Sequence, residues 1–204
     1  MNLHDHEVAA AASALAADGW CVVSQLLMPA QTDALADECA AMQRAKLLQP
    51  ARTGSARSLS PLRGDSTLWF AQGSMSKAQQ DFSDSIEALR VALNRELLLA
   101  MIECESHYAV YRPGAAYARH LDRLRDKDAR MISAVFYLNH DWLECEGGAL
   151  RLYLADGSSQ DIYPHAGTLL LFLSAQFEHE VLPATRERMS IACWMRQRRV
   201  DPLR

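Results

Sequence analysis

The sequence predicts an α+β protein, with N-terminal helices docked on one sheet of a β-sandwich or jelly roll. Three observations predict it. Apolar residues recur at helical spacing in the first half of the chain. After Glu103 the period changes from 3.6 to 2. From there short apolar runs alternate with turn signals at Pro113-Gly114, Gly147-Gly148, Asp156-Gly157 and Pro183.

The first helix is Ala-rich, runs from Glu7 to Ala17, and is stopped by Asp18-Gly19. Trp20 to Leu27 reads as a short strand. Pro29 opens a second helix as its first residue, with Leu35, Cys39 and Met42 on the apolar face. A third helix carries Phe82, Ile86, Leu89, Leu93 and Leu97. That spacing makes one buried stripe, suited to docking on a sheet. Between the second and third helices lies Gln49 to Gly73, rich in Ser, Gly, Arg and Pro. It is too long for a plain connector, and Leu68, Trp69 and Phe70 mark a part that packs down. The strands expected beyond it are His107–Arg112, Arg130–Leu138, Ala149–Leu154, Gln160–Tyr163, Thr168–Leu173, Glu178–Leu182 and Arg188–Met195.

A chain of 204 residues, 50% hydrophobic and 23% charged, suits one soluble domain with a sizeable core. A net charge of -4 argues against a nucleic-acid footprint, which is usually basic. Arg196, Arg198, Arg199 and Arg204 cluster at the C-terminus and read as solvated, with 197–204 as a basic tail. No signal peptide and no span long enough for a bilayer are expected. Five cysteines without a C-x-x-C pair fit free thiols and a reducing cytoplasm.

The chemistry starts at "YARHLD". Side chains at i and i+2 of an extended chain point the same way, so His120 and Asp122 present an imidazole and a carboxylate together. A third ligand would complete a facial triad of the kind used by non-haem Fe(II) oxygenases. His-x-Asp by itself is equally an ordinary strand end. His179 begins a strand in what reads as the last hairpin. If that hairpin turns at Pro183-Ala184, His179 faces Arg188. Arg188 shares a face with Ser190, Ala192 and Trp194, while Met189, Ile191, Cys193 and Met195 read as core. A guanidinium on a face of small residues calls for an anionic partner, such as a small dicarboxylate. The competing reading is an exposed strand end where Arg188 pairs with Glu187 or water.

The stretches "YARHLD", "SAVFYLNHDW", "EGGALRLY", "HEVLPATRER" and "SIACWM" together resemble the Fe(II)- and 2-oxoglutarate-dependent oxygenases. Within them they resemble the prolyl 4-hydroxylases of the oxygen-sensing, EGLN-like branch and its bacterial relatives. "DGWCVVSQLL" and "LRGDSTLWF", with Arg63-Gly64-Asp65, are similar to the same branch. The resemblance implies a double-stranded β-helix (jelly roll) spanning 104–196, on helical support formed by 1–103. The whole, 1–204, would be a single oxygenase domain with a lid at 49–73. It implies Fe(II) on His120, Asp122 and His179, and 2-oxoglutarate on Arg188 and Tyr137, with Tyr111 and Trp194 lining the pocket. Arg188 stands where collagen-type enzymes usually carry Lys. "YRPG" departs from the Tyr-Pro-Gly of the branch, which weakens the assignment of Tyr111. Asp65 and Arg63 of the lid, with Arg130 as partner of Asp65, would meet the substrate. The implied reaction consumes O2, with ascorbate as a reductant. It decarboxylates 2-oxoglutarate to succinate and hydroxylates a prolyl residue of a protein or peptide. Elongation factor Tu is the first substrate that bacterial relatives suggest. No nucleic acid or membrane partner is implied, and a monomer is expected.

Of three other readings, the first disagrees with the sequence and the last two stay open. A nucleic-acid dealkylase of the same superfamily would usually carry a second Arg six residues after the first, where this chain has Trp194. A hydroxylase of a free amino acid or other small molecule shares the same core motifs. A non-catalytic sensor binding iron and 2-oxoglutarate would retain the ligands and lack turnover.

Overall fold

The structure, a computed structural model, describes residues 5–53, 58–59, 63–122 and 129–198. Three helices come first. α1 (Asp5–Ala17) buries Val8, Ala11, Ala12 and Leu15, the i, i+3, i+4, i+7 stripe of an amphipathic helix. It ends at Gly19, whose φ of 78° suits glycine. A Cβ there would lie 2.8 Å from the Phe177 ring. α2 (Pro29–Arg44) starts on Pro29 and returns the Gln31 side chain to the Met28 N–H at 3.0 Å. α3 (Lys77–Leu97) is capped by Ser76, whose hydroxyl accepts from the Gln79 N–H at 3.1 Å. Phe82, Ile86, Leu89 and Leu93 form its buried stripe, as their spacing predicts.

The strands are β1 (Trp20–Val23), β2 (Gln49–Pro50), β3 (Arg52–Thr53), β4 (Ser58–Leu59), β5 (Asp65–Trp69), β6 (Met101–Tyr111), β7 (Tyr117–His120), β8 (Arg130–Tyr137), β9 (Leu150–Tyr153), β10 (Ser159–Ile162), β11 (Leu169–Leu173), β12 (His179–Val181) and β13 (Arg188–Gln197). Seven form a large sheet in the order β1-β11-β8-β13-β6-β5-β2. Four form a small sheet in the order β10-β9-β12-β7, and β3 pairs with β4. This is the sandwich of a jelly roll. Among the described residues, no helix is long and apolar enough to cross a membrane.

Alternation along the strands divides the core. One face of the large sheet presents Ile132, Ala134, Phe136, Ile191, Cys193 and Met195 to the helices. The opposite face turns Tyr137, Leu170 and Phe172 toward Leu150, Leu152 and Ile162 of the small sheet. That second face also carries Ser133, Arg188, Ser190 and Trp194, all buried polar or amphipathic groups. Polar groups in that layer need a reason other than packing.

Three expectations are corrected. β12 and β13 are not a hairpin: His179 pairs with His120 and Leu152 in the small sheet, whereas Arg188 pairs with Tyr111 in the large one. The chain between them crosses the sandwich, so the two residues line one cavity from different sheets rather than facing each other along a ladder. Gln49 to Gly73 is not loop throughout, because β5 adds to the edge of β6 and β2 adds to β5. The lid proposed there falls partly on 54–57 and 60–62, outside the described residues. Arg196 is not in a solvated tail. It lies in β13 and pairs with Glu103 (3.1 Å) and Glu105 (2.9 Å); residues 199–204 lie outside those described.

Candidate active site

His120 ends β7, Asp122 follows it, and His179 starts β12. Direct pairing of His179 with His120 across the two strands brings the imidazoles to a centroid separation of 4.3 Å. Asp122 completes the set: Oδ1 is 3.6 Å from His120 Nε2, and Oδ2 is 3.7 Å from His179 Nε2. Each histidine Nδ1 lies against a backbone carbonyl, at 2.8 Å from Ala118 and 3.2 Å from Phe177. A carbonyl only accepts, so each Nδ1 is the donor and each Nε2 faces Asp122, where the neutral ring offers its lone pair. Burial pushes the His179 pKa down and keeps that lone pair available. Burial opposes ionisation of Asp122. His179, His120 and the Ser133 hydroxyl together outweigh it and hold the carboxyl well below the usual range.

Two imidazole nitrogens and one carboxylate therefore converge, the donor set of a 2-His-1-carboxylate centre. The donor atoms all lie within 4.8 Å of one another, and two imidazoles with one carboxylate are the donor types such an ion takes. The residues fit Fe(II).

Beside this cluster Arg188 is 1% exposed. Its Nε donates to the Gly148 carbonyl (2.8 Å) and Nη1 to Ser190 Oγ (3.2 Å). Nη2 has no partner, nor does the buried Tyr137 hydroxyl. No carboxylate of the described residues pairs with this guanidinium, so an anion is missing from its surroundings. Gly148 makes the arrangement possible. Its φ is 72°, and a Cβ would lie 2.9 Å from the Trp142 ring and 3.0 Å from Ala184. Tyr111 and Tyr137 place their rings 5.3 and 5.1 Å from the guanidinium carbon. Burial pushes the Tyr137 phenol up to about 12, against the pull of Arg188, and raises Tyr111 as well. Tyr137 is therefore a hydrogen-bond donor at neutral pH.

The same cavity is also lined by Asp65, Arg63, Arg130 and Trp194, of which Asp65 and Trp194 are buried. Asp65 accepts two bonds from Arg63, at 2.7 and 3.0 Å. Arg130 lies 3.7 Å above the Trp194 ring and pairs with Glu105 at 3.0 Å. The expected Asp65–Arg130 pair is thus corrected. Arg63 is two residues from Asp65 and presents a planar fork, while Glu105 sits on the strand next to β13 within reach of Arg130. Trp69 is 51% exposed and packs edge-on to His107 at 4.6 Å.

Every residue expected at the site except Tyr137 lines one cavity of about 350 Å³. Tyr137 abuts it through Arg188. Sequence reasoning missed Tyr117, Ser133 and His107, which line the same cavity. Tyr117 stacks on His120 at 3.7 Å. Ser133 shares the inward face of β8 with Tyr137, so a hydroxyl amid apolar residues at that period was the signal available.

Comparison with known proteins agrees with this geometry. The family model of the 2OG-Fe(II) oxygenase superfamily matches residues 106–196. The crystal structure of a Pseudomonas putida prolyl-4-hydroxylase is 42% identical, covers 94% of this chain and 99% of that one, and superposes with a TM-score of 0.87. A Trichoplax adhaerens prolyl hydroxylase, solved with a hypoxia-inducible factor peptide fragment, shares the fold at 24% identity, with TM-score 0.88 over 95% of this chain and 90% of that one. The Caenorhabditis elegans hypoxia-inducible factor prolyl hydroxylase is 38% identical over 84 residues, 40% of this chain and only 12% of that protein's length. The donor set, the buried unpaired guanidinium and the near full-length match agree: the chain belongs to the 2OG-Fe(II) oxygenase superfamily, in the prolyl 4-hydroxylase family.

Proposed function

We propose that this chain hydroxylates a prolyl residue of a protein or peptide while 2-oxoglutarate is decarboxylated to succinate. One observation carries the reading: a fully buried guanidinium without an anion lies beside a 2-His-1-carboxylate cluster. His120, Asp122 and His179 would hold Fe(II), which would supply the O2 activation needed to oxidise 2-oxoglutarate and the substrate together.

The remaining work belongs to the chain. Arg188 Nη2 and the Tyr137 hydroxyl donate to the distal carboxylate of 2-oxoglutarate, which satisfies both unpartnered groups. Tyr111 and Trp194 wall the cosubstrate, and Val135, Leu150 and Val181 keep that end free of water. The half-exposed Trp69, with Arg130 and the Arg63–Asp65 pair, forms the mouth where a polypeptide lies. The Trichoplax relative supports a peptide substrate, since it was solved with one. Elongation factor Tu is the first protein to test, and a cytoplasmic monomer is the setting that fits the five free thiols.

The test is mass spectrometry of proline peptides and of a bacterial proteome incubated with the protein, Fe(II) and 2-oxoglutarate. A gain of one oxygen on proline, matched mole for mole by succinate, is expected. Hydroxylation of free proline in preference to any peptide overturns the substrate class. Cosubstrate binding with no turnover on any substrate class overturns the enzyme.

A further inference from the structure

Behind the carboxylate of Asp122 stand two buried hydroxyls. Ser133, on β8, is 1% exposed, and Ser174, just past β11, is fully buried. Ser133 Oγ lies 2.7 Å from Asp122 Oδ2 and 2.9 Å from Ser174 Oγ. A serine has one proton to give, and an ionised carboxylate can only accept. The proton of Ser133 therefore goes to Asp122, and the proton of Ser174 goes to Ser133. The chain runs in one direction, from Ser174 through Ser133 to Asp122.

Its position is set by pairing in the large sheet. β8 lies between β11 and β13, with Ser133 opposite Phe172 on one side and Trp194 on the other. The Ser174 N–H donates to the Met131 carbonyl at 3.0 Å, which anchors Ser174 independently of its hydroxyl. The donor is therefore on a strand held from both sides, whereas Asp122 lies beyond the end of β7 with no ladder of its own.

We infer that Ser133, backed by Ser174, is a positioning residue that binds Asp122 Oδ2 and so presents Oδ1 to the metal as a single ligand. A carboxylate held by one oxygen leaves three positions of an octahedral ion open. A second carboxylate bond would take one of the positions that the cosubstrate and O2 require. Hydrogen bonds to ligating carboxylates also fix their direction. The inference rests on the iron reading above.

The experiment measures metal binding without turnover. Fe(II) titration and the visible spectrum of the Co(II)-loaded protein are compared for wild type, Ser133→Ala, Ser133→Thr and Ser174→Ala. Ser133→Ala is expected to weaken metal binding by about 10–100-fold and to change the Co(II) spectrum. Ser133→Thr, which keeps the hydroxyl, restores most of both, and Ser174→Ala shifts both in the same direction by less. Wild-type affinity and spectrum in Ser133→Ala overturn the inference. So do equal losses in the Ala and Thr variants, which would mark the site as one of packing. A wild-type protein that binds neither metal would instead overturn the iron reading itself.

Discussion

At the inner end of the cavity, Arg188 and Tyr137 are buried and keep donors without partners. At the mouth, Arg63 and Asp65 satisfy each other, and Arg130 rests on Trp194 beside Glu105. Both regions hold arginines, yet only one is left short of an anion. A buried cation without a counter-charge is costly, so the inner end is the part of the cavity that an anion would stabilise most. At the mouth the charged groups named here are paired, and the buried atoms without a partner are the neutral ring nitrogens Trp194 Nε1 and His107 Nε2. On the function proposed above, the small charged cosubstrate belongs at the inner end and the large polypeptide at the rim.

The largest effect sits between the two regions. Asp122→Ala or His179→Ala is expected to remove metal binding and turnover together, and activity within tenfold of wild type in either variant would sink the triad. Next comes Arg188→Ala, which leaves the cosubstrate's distal carboxylate unpaired. A loss of about 2–5 kcal/mol, or at least about 30-fold in the 2-oxoglutarate requirement, is expected. Arg188→Lys recovers only part, since an ammonium lacks the planar fork. Isothermal titration with the cosubstrate reads both, and unchanged affinity would place the carboxylate on another residue.

At the mouth the expected effects are smaller. Asp65→Ala should raise the peptide KM while leaving 2-oxoglutarate affinity within about threefold, because Asp65 touches neither metal nor cosubstrate. A double-mutant cycle of Arg63 with Asp65 should show coupling of about 1–3 kcal/mol. The same cycle with Arg130 should show less; the opposite ranking would restore the Asp65–Arg130 pair.

His107 allows a pH test. Burial lowers its pKa from 6.5 to about 4, and its Nδ1 lies 2.9 Å from the Tyr108 carbonyl. The unfolded chain takes up the proton first as pH falls, so wild type should lose stability between about pH 6.5 and 4. His107→Phe should lack that portion of the loss, up to about 3 kcal/mol. Parallel denaturation curves for the two proteins across that range would contradict it. The smallest effect is expected for His140→Ala, which breaks only a half-exposed 3.2 Å pair with Asp33 and should change stability by under about 1 kcal/mol. Metal affinity should not move.

Local pattern by itself determined the type of each main element and the face each residue occupies. The 3.6 period of Phe82 to Leu93 and the alternation of Ile191, Cys193 and Met195 need only neighbours in the chain to be read. His120 and Asp122 were legible for the same reason, because spacing on a strand sets direction. The resemblance supplied His179 and Arg188 as partners, and periodicity could not, since His179 reaches His120 through pairing in the small sheet and Arg188 enters the same cavity from the large one. Only the tertiary structure decided that β12 and β13 belong to different sheets, that β5 closes an edge, and that Arg196 is held by Glu103 and Glu105. Each is a choice among long-range partners of similar chemistry. Asp65 shows the limit most clearly. Two arginines were available to it on the sequence, and the one that reached it was selected by which backbone the fold brought within 3 Å.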